Sequence, residues 1–256
     1  WLERGEVPLP LDEMVLERFA IAAAVILDGM PRRGDAGLVE LVLSAGAGEV
    51  ERSRALRLLG VEPDAVLRVL AVDTRDVPIA EVREFFRDGG IDMASLGRVH
   101  AVLVKSVKPD LGERLPEGVR VGVGPALAAI EAPAAWRRAC TALRFTAAEA
   151  SVVHHEALGA LAAVAVRMRD EDIAQVADVA VLDRLAAEPG TLGVLTAFCA
   201  TGSARQAAAR VHRHHSTVAA RLAHAEARLG FSFSGPGGRL RLDLALLLRR
   251  LRDNPA

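Results

Sequence analysis

Lysine is almost absent: Lys105 and Lys108 stand against 30 arginines in 256 residues, and alanine abounds. That usage points to a GC-rich genome rather than to a mechanism. Cysteine is scarce too. Cys140 and Cys199 cannot build a multi-bridge framework, and they fit a reducing compartment. Long apolar runs are missing. The longest, Phe19 to Leu27, has nine residues, whereas a bilayer span needs about 20, so no transmembrane helix is expected. No basic segment leads into an apolar stretch as in a secretory signal. The chain opens at Trp1 and is expected to continue a longer one. Neither the phosphate-loop spacing G-x-x-x-x-G-K-[ST] nor G-x-G-x-x-G after a strand occurs. Internal repeats and low-complexity linkers are also lacking.

What is present is an ordinary globular composition, 51% hydrophobic and 25% charged, which excludes wholesale disorder. At 27.1 kDa it allows about one to three domains. The net charge of −1 hides a split. Residues 191–256 hold ten arginines and three acids, a balance of +7, which leaves −8 on the remainder. A neutral-to-acidic body with a basic end is one footprint of a nucleic-acid binder, and equally that of a solvated basic face.

Residues 11–29 read as a helix in which Val15, Phe19, Ala22 and Ile26 form the seam of a packed or paired helix. Helical stretches follow around Leu38–Leu43 and Glu49–Leu59, the latter stopped by Gly60 as a C′ glycine. From Val66 the period changes. Val66–Val72, His100–Val104, Val119–Gly124 and Ser151–Val153 read as strands. Helices lie between them, near Ile79–Arg87 and after Pro125 and Pro133, with Gly89-Gly90 as a stop signal. These describe a small α/β layer with one hairpin. Beyond residue 170 the strand signals end, and helices are predicted at 172–186, 191–201, 203–211, 214–229 and 240–252.

The informative stretch is Thr201 to Gly230. Gly202 ends one helix, and Ser203 is a good N-cap for the next. Ala204, Ala207, Ala208 and Val211 fall on one face of that helix, small enough to let another approach closely. A turn at His212-Arg213-His214 leads into a helix with Val218, Leu222, Ala225 and Leu229 as its buried stripe and Thr217, Arg221, His224 and Arg228 as a polar one. Two such helices describe a helix-turn-helix. In that geometry Arg213, His214, His215, Ser216 and Thr217 reach base edges or phosphates. Arg221 and Arg228 suit phosphate oxygens, while Arg205 and Gln206, with the helix N-terminus begun by Ser203, clamp the backbone.

The run Thr191-Leu192 through Arg221-Leu222 resembles the C-terminal helix-turn-helix of the PucR/CdaR family of bacterial transcription regulators. Thr191, Leu192, Ala208, Val211, His214, Thr217 and Arg221 occupy matching positions, and Arg239–Leu246 looks like the family's tail. Arg213, His215, Ser216 and Ala220 depart from its pattern, at or near the expected DNA surface. Residues 64–165 are similar to the degenerate GGDEF-like domain that precedes this motif in the family, and helices like 11–59 link it to an upstream sensory domain.

An α+β protein is therefore expected, in three parts: a helical connector and possible dimerisation region (1–62), a degenerate GGDEF-like domain (63–168) and an all-α helix-turn-helix domain (169–256). The expected role is a cytoplasmic, homodimeric, sequence-specific regulator bound to operator duplex DNA, with a possible small-molecule effector and no membrane partner. It is expected to be no enzyme and to hold no cofactor or metal. The rival is a nucleotide- or small-molecule-binding enzyme on the α/β module. Gly89-Gly90-Ile91-Asp92-Met93 superficially resembles a diguanylate cyclase signature, but Ile91 and Met93 replace the acids that chemistry needs, and Asp73 alone is a poor Mg²⁺ site. His212, His214, His215 and His224 fit polar contacts better than metal ligation. His154-His155-Glu156 reads as a loop, and Cys140 as core packing beside Trp136 and Leu143.

Overall fold

The computed structural model describes residues 36–254 apart from Asp88 and Pro109, together with Leu16, Arg18 and Phe19. The predicted 11–29 helix and its seam therefore lie outside the described residues, except that Phe19 is exposed. The chain divides into two compact units, 1–140 and 141–256.

In the first unit, helices α1 (Ala36–Leu43) and α2 (Glu49–Leu58) precede strand β1 (Val66–Asp73). Helix α2 closes as its sequence predicts. The Gly60 N–H donates to Arg57 O and the Val61 N–H to Leu56 O, which satisfies two terminal carbonyls. Helix α3 (Ile79–Phe86), strands β2 (Gly90–Leu96) and β3 (Val99–Val104), the short α4 (Leu111–Arg114), β4 (Arg120–Val123) and β5 (Leu127–Ala128) follow. The sheet runs β2-β3-β1-β4, with β5 against the start of β1, and these pairings are antiparallel.

Strand β2 has no counterpart among the strands read from the sequence. Asp92 and Ser95 interrupt its apolar residues, and a register shift at Gly90/Asp92 breaks its alternation. Its hairpin with β3 turns at Gly97-Arg98. Gly97 has φ +70 and Arg98 does not share the left-handed region, so Gly97 takes the first central position of a II′-type turn.

Helices α1 and α2 do not stand apart from the sheet as a separate connector. Val39, Val42, Leu56 and Leu59 share one core with Leu67, Val69, Ala101 and Leu103. Burying such a side chain contributes about 1.5–3 kcal/mol, so packing rather than the weak amphipathicity of α2 holds these helices. The 62/63 boundary drawn from the sequence thus runs through a continuous core.

The second unit begins within helix α5 (Ala132–Leu143) and continues through β6 (Val152–His154), a 3-10 turn at His155–Leu158, and α6 (Ala160–Arg167). Then come α7 (Asp170–Ala174), α8 (Ala177–Ala186), α9 (Thr191–Thr201), α10 (Ala204–Arg210), α11 (His215–Leu229) and α12 (Pro236–Asp253). The sequence predicts one helix over 172–186; the chain instead breaks at Val176, whose ψ is 113. The break has a packing reason. Ile173 and Val179 would face different sides of an unbroken helix, yet both are fully buried in one core.

That core also holds Phe145, Leu158, Leu248 and Leu251, so residues before 169 pack with the last helix. The compact unit consequently starts nearer 141 than the expected 169. Asn254 closes it, its side-chain amide donating to Thr146 O at 2.8 Å.

Candidate nucleic-acid interface

Helices α9, α10 and α11 pack around Leu195, Phe198, Ala207, Ala208, Val218 and Leu222. Helix α9 ends at Gly202, in the left-handed region at φ +68, where a Cβ would collide with the Arg239 guanidinium. Ser203 begins α10 from extended backbone, but its hydroxyl makes no cap hydrogen bond. The Thr201 hydroxyl at the end of α9 donates to Ala197 O at 2.8 Å and lies 3.2 Å from Ser203 O. The expected small face of α10 is present, with Ala207 and Ala208 buried and Ala204 and Val211 packed beside them.

The turn is a Schellman closure. The His212 N–H donates to Ala209 O and the Arg213 N–H to Ala208 O. His212 supplies the left-handed residue at φ +51, where glycine is the usual occupant. Helix α11 then starts with a histidine cap. The Ser216 N–H donates to His214 Nδ1 at 3.4 Å, and the Ser216 hydroxyl lies 2.7 Å from the same nitrogen. In that role the His214 ring accepts through Nδ1. The His215 ring leans on it, with centroids 4.4 Å apart. Val218, Leu222, Ala225 and Leu229 are buried, as their spacing predicts.

The predicted contact residues fall into three groups. Arg205, Gln206, Arg213, His214, His215, Ser216 and Thr217 are exposed together on the first turns of α10 and α11 and on the turn between them. Within this group, Ser216 and the Nδ1 of His214 are engaged with each other. Arg221 and His224 turn toward the loop between α8 and α9. Arg221 is half-buried with its guanidinium against Gly190, and His224 Nε2 lies 3.2 Å from Glu188 Oε1. Ser203 is half-buried, and Arg228 is exposed in the last turn of α11.

Two features were missed by reasoning from the sequence. Arg210, exposed at the end of α10, extends the cationic surface. Moreover, no acidic residue occurs between Glu188 and Glu226, a signal readable from the sequence alone. Four arginines and four histidines lie in that interval.

The +7 balance of the C-terminal stretch is not all available to a partner. Arg252 grips Asp183 in a bidentate pair at 2.7 and 2.8 Å, and Arg249 adds a bond of 2.9 Å to the same carboxylate. Hydrogen bonds from Arg252 and then Arg249 hold the Asp183 carboxyl below its ordinary range against the opposing effect of burial. Arg241 pairs with Asp178 at 2.7 Å and lies over the Phe231 ring, while Arg250 faces Glu149 at 3.8 Å. Positive charge on α12 is spent on cohesion within the unit.

The other constellations resolve simply. Asp73 ends β1 with its carboxylate against its neighbour Arg75 at 3.2 Å. Gly89-Gly90 enters β2 rather than occupying the hairpin turn. Among the described residues no three His, Cys, Asp or Glu side chains gather to hold a metal ion. His154 ends β6 and His155 opens the 3-10 turn that carries Glu156. Burial pushes the thiols of Cys140 and Cys199 up to about 12, so both are protonated at neutral pH and neither is a ready nucleophile.

Residues 191–248 match the PucR C-terminal helix-turn-helix domain. No curated protein is significantly similar to the chain. Among solved structures, the regulator of polyketide synthase expression from Bifidobacterium adolescentis is similar at 18% identity, over 85% of this chain and 92% of that one, with a TM-score of 0.38. The family match rests on the segment whose geometry is described above.

Proposed function

We propose that this chain, whose residues 191–248 form a PucR-type helix-turn-helix domain, is a sequence-specific regulator that reads operator DNA as a homodimer. That it is a DNA-binding transcriptional regulator follows from the domain itself. The finer reading is that α11 enters the major groove by its N-terminal turn. His215 and Thr217 then face base edges, and Arg205, Arg210 and Arg213 face phosphates on either side. Arg221 and His224 position α11 against the α8–α9 loop. Arg228 remains a phosphate contact further along the groove, and Gln206 a contact beside the N-terminus of α10.

One observation carries this reading: Arg205, Gln206, Arg210, Arg213, His215 and Thr217 are exposed on one acid-free stretch, while the apolar faces of the same two helices are buried. A single helix-turn-helix reads a short stretch of groove, so two-fold pairing of subunits over half-sites about 10 base pairs apart supplies the rest. In this proposal the α+β unit relays a signal or pairs subunits and catalyses nothing, and the protein works in the cytoplasm, where its DNA is. Among the described residues no helix is long and apolar enough to cross a membrane.

Fluorescence anisotropy on duplexes selected from random sequence tests the proposal. A consensus with two-fold symmetry, bound at least 1,000-fold more tightly than scrambled duplex, is expected, as specific binding generally exceeds non-specific binding by roughly that factor or more. Equal affinity for all duplexes would refute sequence-specific reading.

A further inference from the structure

A cavity in the first unit has a use that helix-turn-helix binding does not absorb. It encloses about 830 Å³, within the range of small-molecule sites. Apolar side chains supply part of its wall: Val61, Leu70, Phe86, Ile91, Val104 and Leu111 line it, and Phe85 adds an edge-on ring 5.0 Å from that of Phe86. Its rim is cationic. The segment after β3 carries Lys105 and Lys108 along the opening, and Arg114 follows from α4. Arg114 is loosely paired with Asp110 at 3.8 Å, whereas no acid lines the cavity among the described residues.

Position separates this cavity from the constellation around Asp73. Antiparallel pairing sets Arg68 opposite Val104 and Val72 opposite His100. The cavity therefore opens where β3 ends and β2 begins, and Asp73 lies at the other end of β1. The choice of cation is also telling. In a chain with 30 arginines, its only two lysines sit three residues apart on this rim. An ammonium on a flexible stem is a compact point charge that can follow one anionic group, without the fixed bidentate fork of a guanidinium.

We propose that this cavity binds a small amphipathic anion, an apolar chain or ring ending in one carboxylate. The apolar body would fill the space between α3 and the sheet while Lys105 and Lys108 meet the carboxylate. The site is independent of DNA reading, so it is tested without DNA.

The probe is 1-anilinonaphthalene-8-sulfonate, followed by fluorescence with the full chain, with decanoate, decanol and inorganic phosphate as competitors. One saturable site per chain is expected. Decanoate should displace the probe, decanol about tenfold less effectively, and phosphate not at all. Lys105→Ser/Lys108→Ser should weaken decanoate about tenfold, the scale of two exposed charge contacts. Gly89→Trp should block the cavity. Gly89 lines it, its φ is not left-handed, and an added Cβ meets nothing within 4 Å, so a side chain can start there, and the melting temperature checks that the variant folds. Unsaturable probe binding, phosphate competing as well as decanoate, or decanoate affinity unchanged in either variant would overturn the proposal.

Discussion

Helix α12 carries five arginines and α11 two, and both helices pack on one core of the second unit. Four of the five on α12 face acids: Asp178 and Asp183 on α8, Glu149, and Asp253 one turn on from Arg249. The fifth, Arg239, packs over Gly202. Around the start of α11 the pattern reverses. Arg205, Arg210 and Arg213 stand exposed on a stretch without acids. Counting charge along a sequence treats the two groups alike. Pairing separates them: a guanidinium bound to a carboxylate adds little to the field a phosphate feels, while an exposed one with no acid nearby adds its full charge.

Four variants sharpen or break this contrast, from the largest effect to the smallest. Val218→Asp puts a charge at a fully buried position between α10 and α11. It should cost several kcal/mol and abolish folding of the motif, seen as loss of both helical circular dichroism and DNA binding.

Asp183→Asn removes the carboxylate that holds Arg249 and Arg252. Because that carboxylate is about a third exposed, with 37% of its side-chain surface accessible, the cost should be only about 1 kcal/mol. Its pKa is depressed in the folded state. The pair therefore stabilises the unit above the unfolded carboxyl value of about 3.9 and stops doing so as pH falls through the lower folded value. The melting temperatures of wild type and variant should differ at pH 7 and converge as pH drops below about 4. A gap that widens toward acid would break the account.

Arg213→Ala should leave stability unchanged and lower the slope of log K against log salt by about one counterion per subunit, read by anisotropy on any duplex. Smallest of all, His212→Gly should raise stability by up to about 1 kcal/mol in chemical denaturation, because glycine accepts φ +51 without a Cβ clash. A destabilised variant would mean that the His212 side chain does more than close the turn.

Much of the second unit was legible because its punctuation is local. Gly202, Gly230 and the turn at 212–214 bound helices whose buried stripes follow directly from spacing, and Val218 through Leu229 fall where the period puts them. Strand β2 was not legible. Its residues neither alternate nor form an apolar run, and its pairing with β3 depends on a partner rather than on its own pattern.

Nor could the sequence show which arginines were taken. Asp183 lies 69 residues from Arg252, and Asp178 lies 63 from Arg241. The inward turn of Arg221 depends likewise on Gly190 meeting it across the fold. The cap at Ser203 failed as an expectation: the residue takes the extended N-cap backbone, but its hydroxyl makes no cap hydrogen bond.

In the proposed function, arginines around the start of α11 serve DNA, whereas those at the end of α12 serve the fold. Measuring the salt dependence of duplex affinity for Arg205→Ala/Arg213→Ala and for Arg249→Met/Arg252→Met tests it most directly. The first pair should flatten the slope by about two counterions per subunit at unchanged melting temperature. The second should keep the wild-type slope and melt lower. A second pair that flattens the slope as much as the first would contradict the claim.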